Sequence, residues 1–152
     1  MFLTTILSTL ALLPGSVLSA EFNFTDVYYW RRQNINNQEF QVWENNNPLS
    51  NETGAWCHVS FSDTLLNWPT DYIPCADSTS WDWYVVNWTH ENFTFEIRHN
   101  FTDSSTQTFH QRFARFVETN YTECQTDLRG TTSCTFPSGV AEVYDEKITP
   151  LP

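Results

Sequence analysis

Histidine and cysteine are the side chains best suited to bind a metal or to act in catalysis, so we consider them first. The histidines are His58, His90, His99 and His110. No two of them share the H-E-x-x-H spacing, and no two cysteines share the C-x2-4-C spacing, that brings two ligands to one metal. The sequence therefore predicts neither a metal site nor a cofactor.

Asp82 and His99 are the pair that could form a catalytic dyad, because a carboxylate beside an imidazole can act as a general base. We expect them to be cross-strand neighbours on the inward face of a hairpin. Such pairs more often stabilise a core, and no G-x-S-x-G motif or reactive cysteine accompanies this one. We therefore predict no catalytic residues, and a small secreted hydrolase is the weakest of our hypotheses.

The elements that position these residues lie in the stretch Trp81–Phe101, WDWYVVNWTHENFTFEIRHNF. In its second half apolar side chains alternate with polar ones, which is the period of a half-buried strand. Strands Trp81–Trp88 and Phe93–Phe101, joined by four residues, predict a hairpin. The expected opposite pairs are Trp88 with Phe93, Val86 with Phe95, Tyr84 with Ile97, and Asp82 with His99. All of these side chains are expected on the inward face, and those of the first three pairs in the core.

With that register, Trp81, Trp83 and Arg98 lie together on the outer face of the hairpin. Exposed, flat tryptophans suit sugar rings or a protein partner, and Arg98 could stack on Trp83. These three residues are the predicted binding patch. The competing interpretation, which we favour, is that a second layer of the fold covers both tryptophans.

Six N-x-[ST] sequons predict N-glycosylation, at Asn23, Asn51, Asn87, Asn92, Asn100 and Asn120. A glycan cannot point into a core, so each sequon also marks a solvent-facing side chain. Asn87 must therefore face outward, which a four-residue hairpin loop satisfies and a one-residue slip in register does not. Dense glycosylation is typical of a protein exposed to an extracellular medium.

An even number of cysteines in a small secreted chain predicts disulfide bonds, here two intrachain bonds among Cys57, Cys75, Cys124 and Cys134. Three connectivities are open. Short-range pairing, Cys57 with Cys75 and Cys124 with Cys134, would close loops of roughly 10 to 20 residues, each contributing on the order of 3 kcal/mol.

Residues 1–20 are typical of a secretory signal peptide, since an apolar run from Phe2 to Leu13 precedes small residues that end at Ala20. No later apolar run approaches the ~20 residues that span a bilayer. We expect residues 21–152 to form a single secreted β-domain, extracellular and without membrane insertion.

The chain has 18 acidic side chains, 7 lysines and arginines, and a net charge of −11. Phosphate backbones and anionic membranes repel such a surface. Nucleic-acid binding is therefore not expected.

Residues 21–30, EFNFTDVYYW, predict a first strand with Phe22, Phe24, Tyr28 and Trp30 inward and a bulge or a partner at Asp26. Arg31–Gln38 reads as a polar turn. Thr106–Tyr121 has helical spacing of its phenylalanines, but its threonines favour the strand that we predict. The pattern indicates an all-β fold, an antiparallel β-sandwich or barrel of about 7–11 short strands.

A series of short motifs runs in order along most of residues 21–152: Phe22-x-Phe24, Phe40-Gln41-Val42, Cys57, Pro74-Cys75, Trp83-Tyr84-Val85, Phe93-x-Phe95-Glu96-Ile97-Arg98-His99-x-Phe101 and Cys124 to Cys134. This order resembles the secreted fungal family of the major Alternaria allergen. The resemblance implies a β-barrel or sandwich with the two short-range disulfides. The founding allergen has a further cysteine near its amino terminus that links a dimer; this chain has none, so no covalent dimer is expected.

Members of that family are small secreted proteins without established enzymatic machinery, and plants perceive several of them as effectors or defence elicitors. The resemblance thus implies a non-enzymatic, allergen-like effector or elicitor that binds a host protein or a cell-wall polysaccharide. A carbohydrate-binding module, based on Trp81, Trp83 and Arg98, is the alternative hypothesis.

Overall fold

The computed structural model describes residues 20–45, 47, 54–62, 64–65, 67–89, 92–118, 123–136 and 138–152. The predicted signal peptide lies outside these ranges except for Ala20, as do the sequons at Asn51 and Asn120. The described residues form ten strands: β1 (Glu21–Arg32), β2 (Ile35–Glu44), β3 (Ala55–Ser62), β4 (Ile73–Pro74), β5 (Trp81–Trp88), β6 (Phe93–Asp103), β7 (Thr108–Glu118), β8 (Glu123–Thr126), β9 (Thr131–Thr135) and β10 (Gly139–Pro150).

The predicted fold class is confirmed: the strands pair antiparallel in the order β3-β2-β1-β10-β7-β6-β5-β4 and form a nearly closed barrel. β1 organises it. One edge of β1 pairs with β2, and the other pairs first with β10 and then with β9. Across the ranges given above, no helix is long and apolar enough to cross a membrane.

The barrel is fastened where its two edge strands, β3 and β4, meet, a line that we call the seam. The Cys57–Cys75 disulfide joins β3 to the residue after β4. Beside it, the Ala76 N–H donates to the Trp56 carbonyl (2.8 Å), and the Trp56 N–H donates to Asp77 Oδ1 (2.7 Å). Covalent and hydrogen bonds thus replace the strand pairing that would otherwise be left open at a sheet edge.

Aromatic rings fill the barrel. Phe40 stacks on Phe95 with ring centroids 4.4 Å apart, Phe24 packs on Phe116 at 4.6 Å, and Trp83 meets Phe40 edge-on at 4.9 Å. All but Phe116 of these rings are completely buried. A barrel of this size either fills its interior with side chains or encloses a ligand, and among the residues that the structure describes these rings occupy the interior.

A β-bulge in β1 changes which side chains point inward. The register with β2 shifts between Thr25 and Tyr28, at Asp26, whose φ is 50°. The predicted bulge at Asp26 is thereby confirmed, and Phe22 and Phe24 are buried as expected. The extra residue reverses the alternation beyond it, so Val27 and Tyr29 enter the core. The inward orientation predicted for Tyr28 and Trp30 is wrong.

The predicted polar turn Arg31–Gln38 is largely wrong, because β2 already begins at Ile35. Two of its asparagines are buried and each has a hydrogen-bond partner: Tyr29 Oη donates to Asn36 Oδ1 (2.6 Å), and Ser60 Oγ donates to Asn37 Oδ1 (2.8 Å). For the ambiguous segment Thr106–Tyr121, the strand interpretation is confirmed over Thr108–Glu118 by β7, and residues 119–121 lie outside the described residues.

Candidate functional site

The Trp81–Phe101 hairpin exists as β5 and β6, but its predicted register holds only next to the loop. Trp88 pairs with Phe93 and Asn87 with Thr94, as expected. A bulge at Val86 then shifts the register by one residue. The remaining pairs are Val85 with Phe95, Tyr84 with Glu96, Trp83 with Ile97, Asp82 with Arg98, and Trp81 with His99.

The bulge removes the predicted binding patch. Trp81 and Trp83 turn into the barrel, where their exposed fractions are 1% and 0%, while Arg98 stays outside. The surface position predicted for the two tryptophans is wrong. They are buried, as the competing interpretation expected, but they lie in the barrel interior and not under a second layer on the outer face. Val86, predicted to lie in the core, is 39% exposed. Tyr84, also predicted to lie in the core, is only half-buried on the outer face.

The predicted Asp82–His99 dyad is wrong, because the same shift places the two residues on opposite faces of the hairpin. Asp82 accepts hydrogen bonds from Arg98 (Nη2, 2.5 Å; Nε, 3.1 Å) and from Asn100 Nδ2 (2.8 Å) on the outer face. His99 lies inside the barrel, stacked on Trp81 with ring centroids 4.0 Å apart. A hydrolase based on this pair has no structural basis.

The carboxylate that meets His99 belongs to Glu44, at the end of β2. Glu44 Oε2 lies 2.7 Å from His99 Nδ1 and accepts a second hydrogen bond from Asn47 Nδ2 (2.9 Å). Arg112 Nη1 contacts Glu44 Oε1. Side-chain exposure is 2% for Glu44 and 1% for His99. Because an ionised carboxylate only accepts hydrogen bonds, His99 Nδ1 carries the proton in this pair.

The Glu44–His99 pair belongs to a larger group of charged side chains that reaches the mouth of the barrel. Arg112 Nε donates to Glu146 Oε1 (2.9 Å), and His110 Nδ1 lies 2.8 Å from the same oxygen. We call this set, Glu44, His99, Arg112, Glu146 and His110, the inner ion cluster. It ties β2, β6, β7 and β10 together.

Contacts within the inner ion cluster keep Glu44 and Arg112 in their charged forms. Burial alone raises the pKa of Glu44, but the hydrogen bonds from His99 and Arg112 and the positive charge of Arg112 outweigh it and lower that pKa below 4.5. Burial likewise opposes the charge of Arg112, and its two glutamates still raise its pKa. Because Glu44 and His99 are almost fully enclosed, a structural role fits this cluster better than proton transfer to a substrate.

A second carboxylate, Glu96, is held on the outer face of the same sheet. Tyr72 Oη donates to Glu96 Oε1 (2.8 Å), and Arg115 Nη2 donates to Oε2 (2.7 Å). The Arg98 guanidinium lies 4.2 Å above the Tyr72 ring. We define the tyrosine face as the outward side chains of Tyr72, Tyr84, Glu96, Arg98, Arg115 and Tyr144.

Mutual contacts also set the ionisation of the tyrosine face. Burial raises the pKa of Glu96, and the hydrogen bonds from Arg115, Tyr72 and Tyr144 lower it further than burial raises it. Burial and the hydrogen bond to Glu96 raise the pKa of Tyr144 to about 12. Tyr72 is raised in pKa for the same two reasons. At neutral pH the face therefore presents neutral hydroxyls around one carboxylate and two guanidiniums.

The described sequons differ in how accessible their amides are. Asn87 is exposed and Asn92 is half-buried. The amide of Asn100 is engaged on both sides, by Asp82 and by Gln111 Nε2 (3.0 Å). The Nδ2 atom of Asn23 is buried. Asn87 is therefore the described sequon best placed to carry a glycan, and glycosylation itself stays a prediction.

Both short-range disulfides are confirmed, Cys57–Cys75 at the seam and Cys124–Cys134 across the β8–β9 hairpin. No cysteine is left free. Within the described ranges, no group of three or more His, Cys, Asp or Glu side chains is placed to hold a metal ion.

Comparison with known proteins gives no match: no family model, no curated protein and no solved structure is significantly similar to this chain.

Proposed function

We propose that this protein is an extracellular recognition protein that acts by binding through its outer surface and not by catalysis. The observation that carries the proposal is the filled barrel. Rings such as Phe24, Phe40 and Phe95 occupy the interior in which a barrel of this size could hold a small ligand. Recognition then falls to the side chains outside.

The extracellular setting rests on three features. The two disulfides are compatible with an extracellular protein. The apolar run at residues 2–13 has the composition of a signal peptide, and the six sequons suit a secreted glycoprotein. Together with the motif order of the Alternaria-allergen family, these features support a secreted fungal effector or plant-defence elicitor.

The tyrosine face is the surface that we assign to a protein partner. Tyrosine and arginine are the residues most enriched at the centres of protein interfaces. Tyr144 is 56% exposed, the Arg115 side chain is 49% exposed, and Val117 beside them is 55% exposed. Arg98 and Arg115 are each paired with a carboxylate on this side of the barrel, Asp82 and Glu96, so the face offers balanced charges around its tyrosines to a polar partner surface.

The test is infiltration of purified protein into the leaves of several plant hosts, with the defence response measured against dose. We expect a response to the wild type and at least a tenfold higher dose requirement for the Tyr144→Ala, Val117→Ser double variant. Leu128→Ala removes a fully exposed side chain at the β8–β9 tip and serves as the matched control. No response in any host, or equal potency of the double variant, would contradict the proposal.

A further inference from the structure

We propose that a cleft beside the seam, lined by Trp43, Trp56, Gln41 and Asp77, binds one pyranose ring of an uncharged glycan. This site is separate from the tyrosine face and does not depend on the function assigned to that face. It also differs from the predicted patch at Trp81 and Trp83, which is buried. The cleft has a volume of about 230 Å³ and is lined by Gln41, Val42, Trp43, Gly54, Ala55, Trp56 and Asp77.

Trp56 provides the aromatic platform. Its side chain is 39% exposed on the outer side of β3, and one face of its indole stacks on His58 with ring centroids 4.5 Å apart and planes 13° apart. That stacking fixes the orientation of the indole, and the exposed part of Trp56 is accessible to a ligand. Trp43, half-buried on β2, gives the cleft a second indole. Aromatic faces of this kind suit the C–H surface of a sugar ring.

Polar groups that could bind hydroxyls flank the platform. Asp77 Oδ1 accepts the Trp56 N–H at 2.7 Å, which orients the carboxylate. Its other oxygen, Oδ2, makes no hydrogen bond within the part of the chain that the structure describes. Gln41, directly across the β2–β3 ladder from Trp56, is exposed and offers one acceptor and two donors. The carboxylate of Asp77 and the amide of Gln41, which lie beside the indole of Trp56, can bind adjacent hydroxyls of a sugar ring.

The site is rigid before any ligand binds. Trp56 is held at both its N–H and its carbonyl by the segment that follows Cys75, and the Cys57–Cys75 disulfide lies one residue away. At the opposite wall, Gly54 has a φ of +116°, and a Cβ there would lie 2.6 Å from the Val42 carbonyl oxygen. Only glycine permits this close approach. Such preorganisation lowers the entropic cost of binding a small ligand.

Size and charge define the ligand. A volume of about 230 Å³ is below the ~300 Å³ at which pockets for drug-sized molecules begin, so it fits a single ring. Among the described residues, the lining carries one carboxylate and no lysine or arginine, on a chain of net charge −11. Uronic acids and phosphorylated sugars are repelled by this field. A neutral hexose or N-acetylhexosamine unit fits these conditions.

The test is calorimetric titration of the full protein with soluble oligosaccharides of three charge classes. The neutral class comprises β-1,3-glucan, β-1,4-glucan, mannan, xylan and chitin fragments, the anionic class is oligogalacturonate, and the cationic class is chitosan fragments. We expect saturable binding of at least one neutral oligosaccharide. Binding should weaken at least tenfold in Trp56→Ala and severalfold in Asp77→Asn, which keeps an acceptor for the Trp56 N–H.

Leu128→Ala, at a fully exposed position that does not line the cleft, is the control and should bind the glycan as the wild type does. A thermal melt of each variant separates lost binding from lost folding, and Trp56→Phe, which keeps a ring, should show an intermediate affinity. Binding only to the charged classes, no binding to any oligosaccharide, or an unchanged affinity in folded Trp56→Ala would each overturn the proposal.

Discussion

Glu44 and Glu96 are two carboxylates that the same strand holds on opposite sides of the barrel wall. Arg112 of β7 reaches inward to Glu44, and Arg115 of the same strand reaches outward to Glu96. Both contacts lower the pKa of the carboxylate. The difference lies in the cations, because the Arg112 side chain is 17% exposed and the Arg115 side chain 49% exposed.

This difference in exposure gives the two glutamate–arginine ion pairs different roles. An ion pair enclosed by protein cannot exchange its partner for water, so it fixes the strands that carry it and is costly to break. An ion pair with one exposed member contributes little to stability. Its arginine remains available to a partner. We therefore assign Glu44 to the integrity of the barrel and Glu96 to the presentation of the tyrosine face.

The largest effect should come from Glu44→Gln. The substitution keeps the size of the side chain but leaves Arg112 partly uncompensated and removes an acceptor for His99. We expect the free energy of unfolding at pH 7 to fall by about 3–5 kcal/mol, as measured by chemical denaturation. A loss below 1 kcal/mol would show that the inner ion cluster does not hold the barrel together.

Glu96→Gln should have a smaller effect. The glutamine can still accept the Tyr72 hydroxyl, and Arg115 can turn to water because half of its side chain is already exposed. We expect a loss of about 1–2 kcal/mol in the same denaturation experiment. A loss as large as that of Glu44→Gln would remove the distinction between the two carboxylates.

The smallest expected effect is on how stability depends on pH below 4.5, where Glu44 and Glu96 become protonated. Both folded-state pKa values lie below the ordinary 4.5, so each carboxylate contributes stability above that pH and loses it as the pH falls further. Glu44→Gln removes one such titration, and its stability should decline less steeply below pH 4.5, by up to about 1.4 kcal/mol per pH unit. Denaturation midpoints of wild type and variant between pH 3 and 7 give the comparison. Parallel curves of denaturation midpoint against pH for the wild type and the variant would contradict this prediction.

The alternation of Phe93, Phe95 and Ile97 identified the buried face of β6 correctly from the sequence, because a regular strand has a period of exactly two residues along its length. For β5, the outward orientation of Asn87 predicts the facing of only its neighbours in the strand, because the bulge at Val86 reverses the alternation before it. A signal for the bulge was present: the large apolar side chains change parity between Trp83 and Trp88. Such a change indicates one extra residue between them.

The inner ion cluster could not be predicted, because it joins positions far apart in sequence. Glu44 and His99 are separated by 55 residues, and their meeting depends on the strand order of the barrel. The sequence does hint that Glu44 points inward, since it shares its parity with Phe40 and Val42. The bulges in β5 and β1 and the closure of the barrel at the seam determine which histidine contacts Glu44.

The pairing of β1 with β10 constrains how the chain can be made. Glu21 pairs with Glu142 and Phe24 with Gly139. The edge of β1 that pairs with β10 therefore stays uncovered until nearly the whole domain has been synthesised. Contacts of such long sequence separation slow folding. Until then β1 offers Phe22 and Phe24 and an unpaired edge to other chains. The predicted glycans and the early β2–β3 partners would protect the nascent protein from aggregation during this interval.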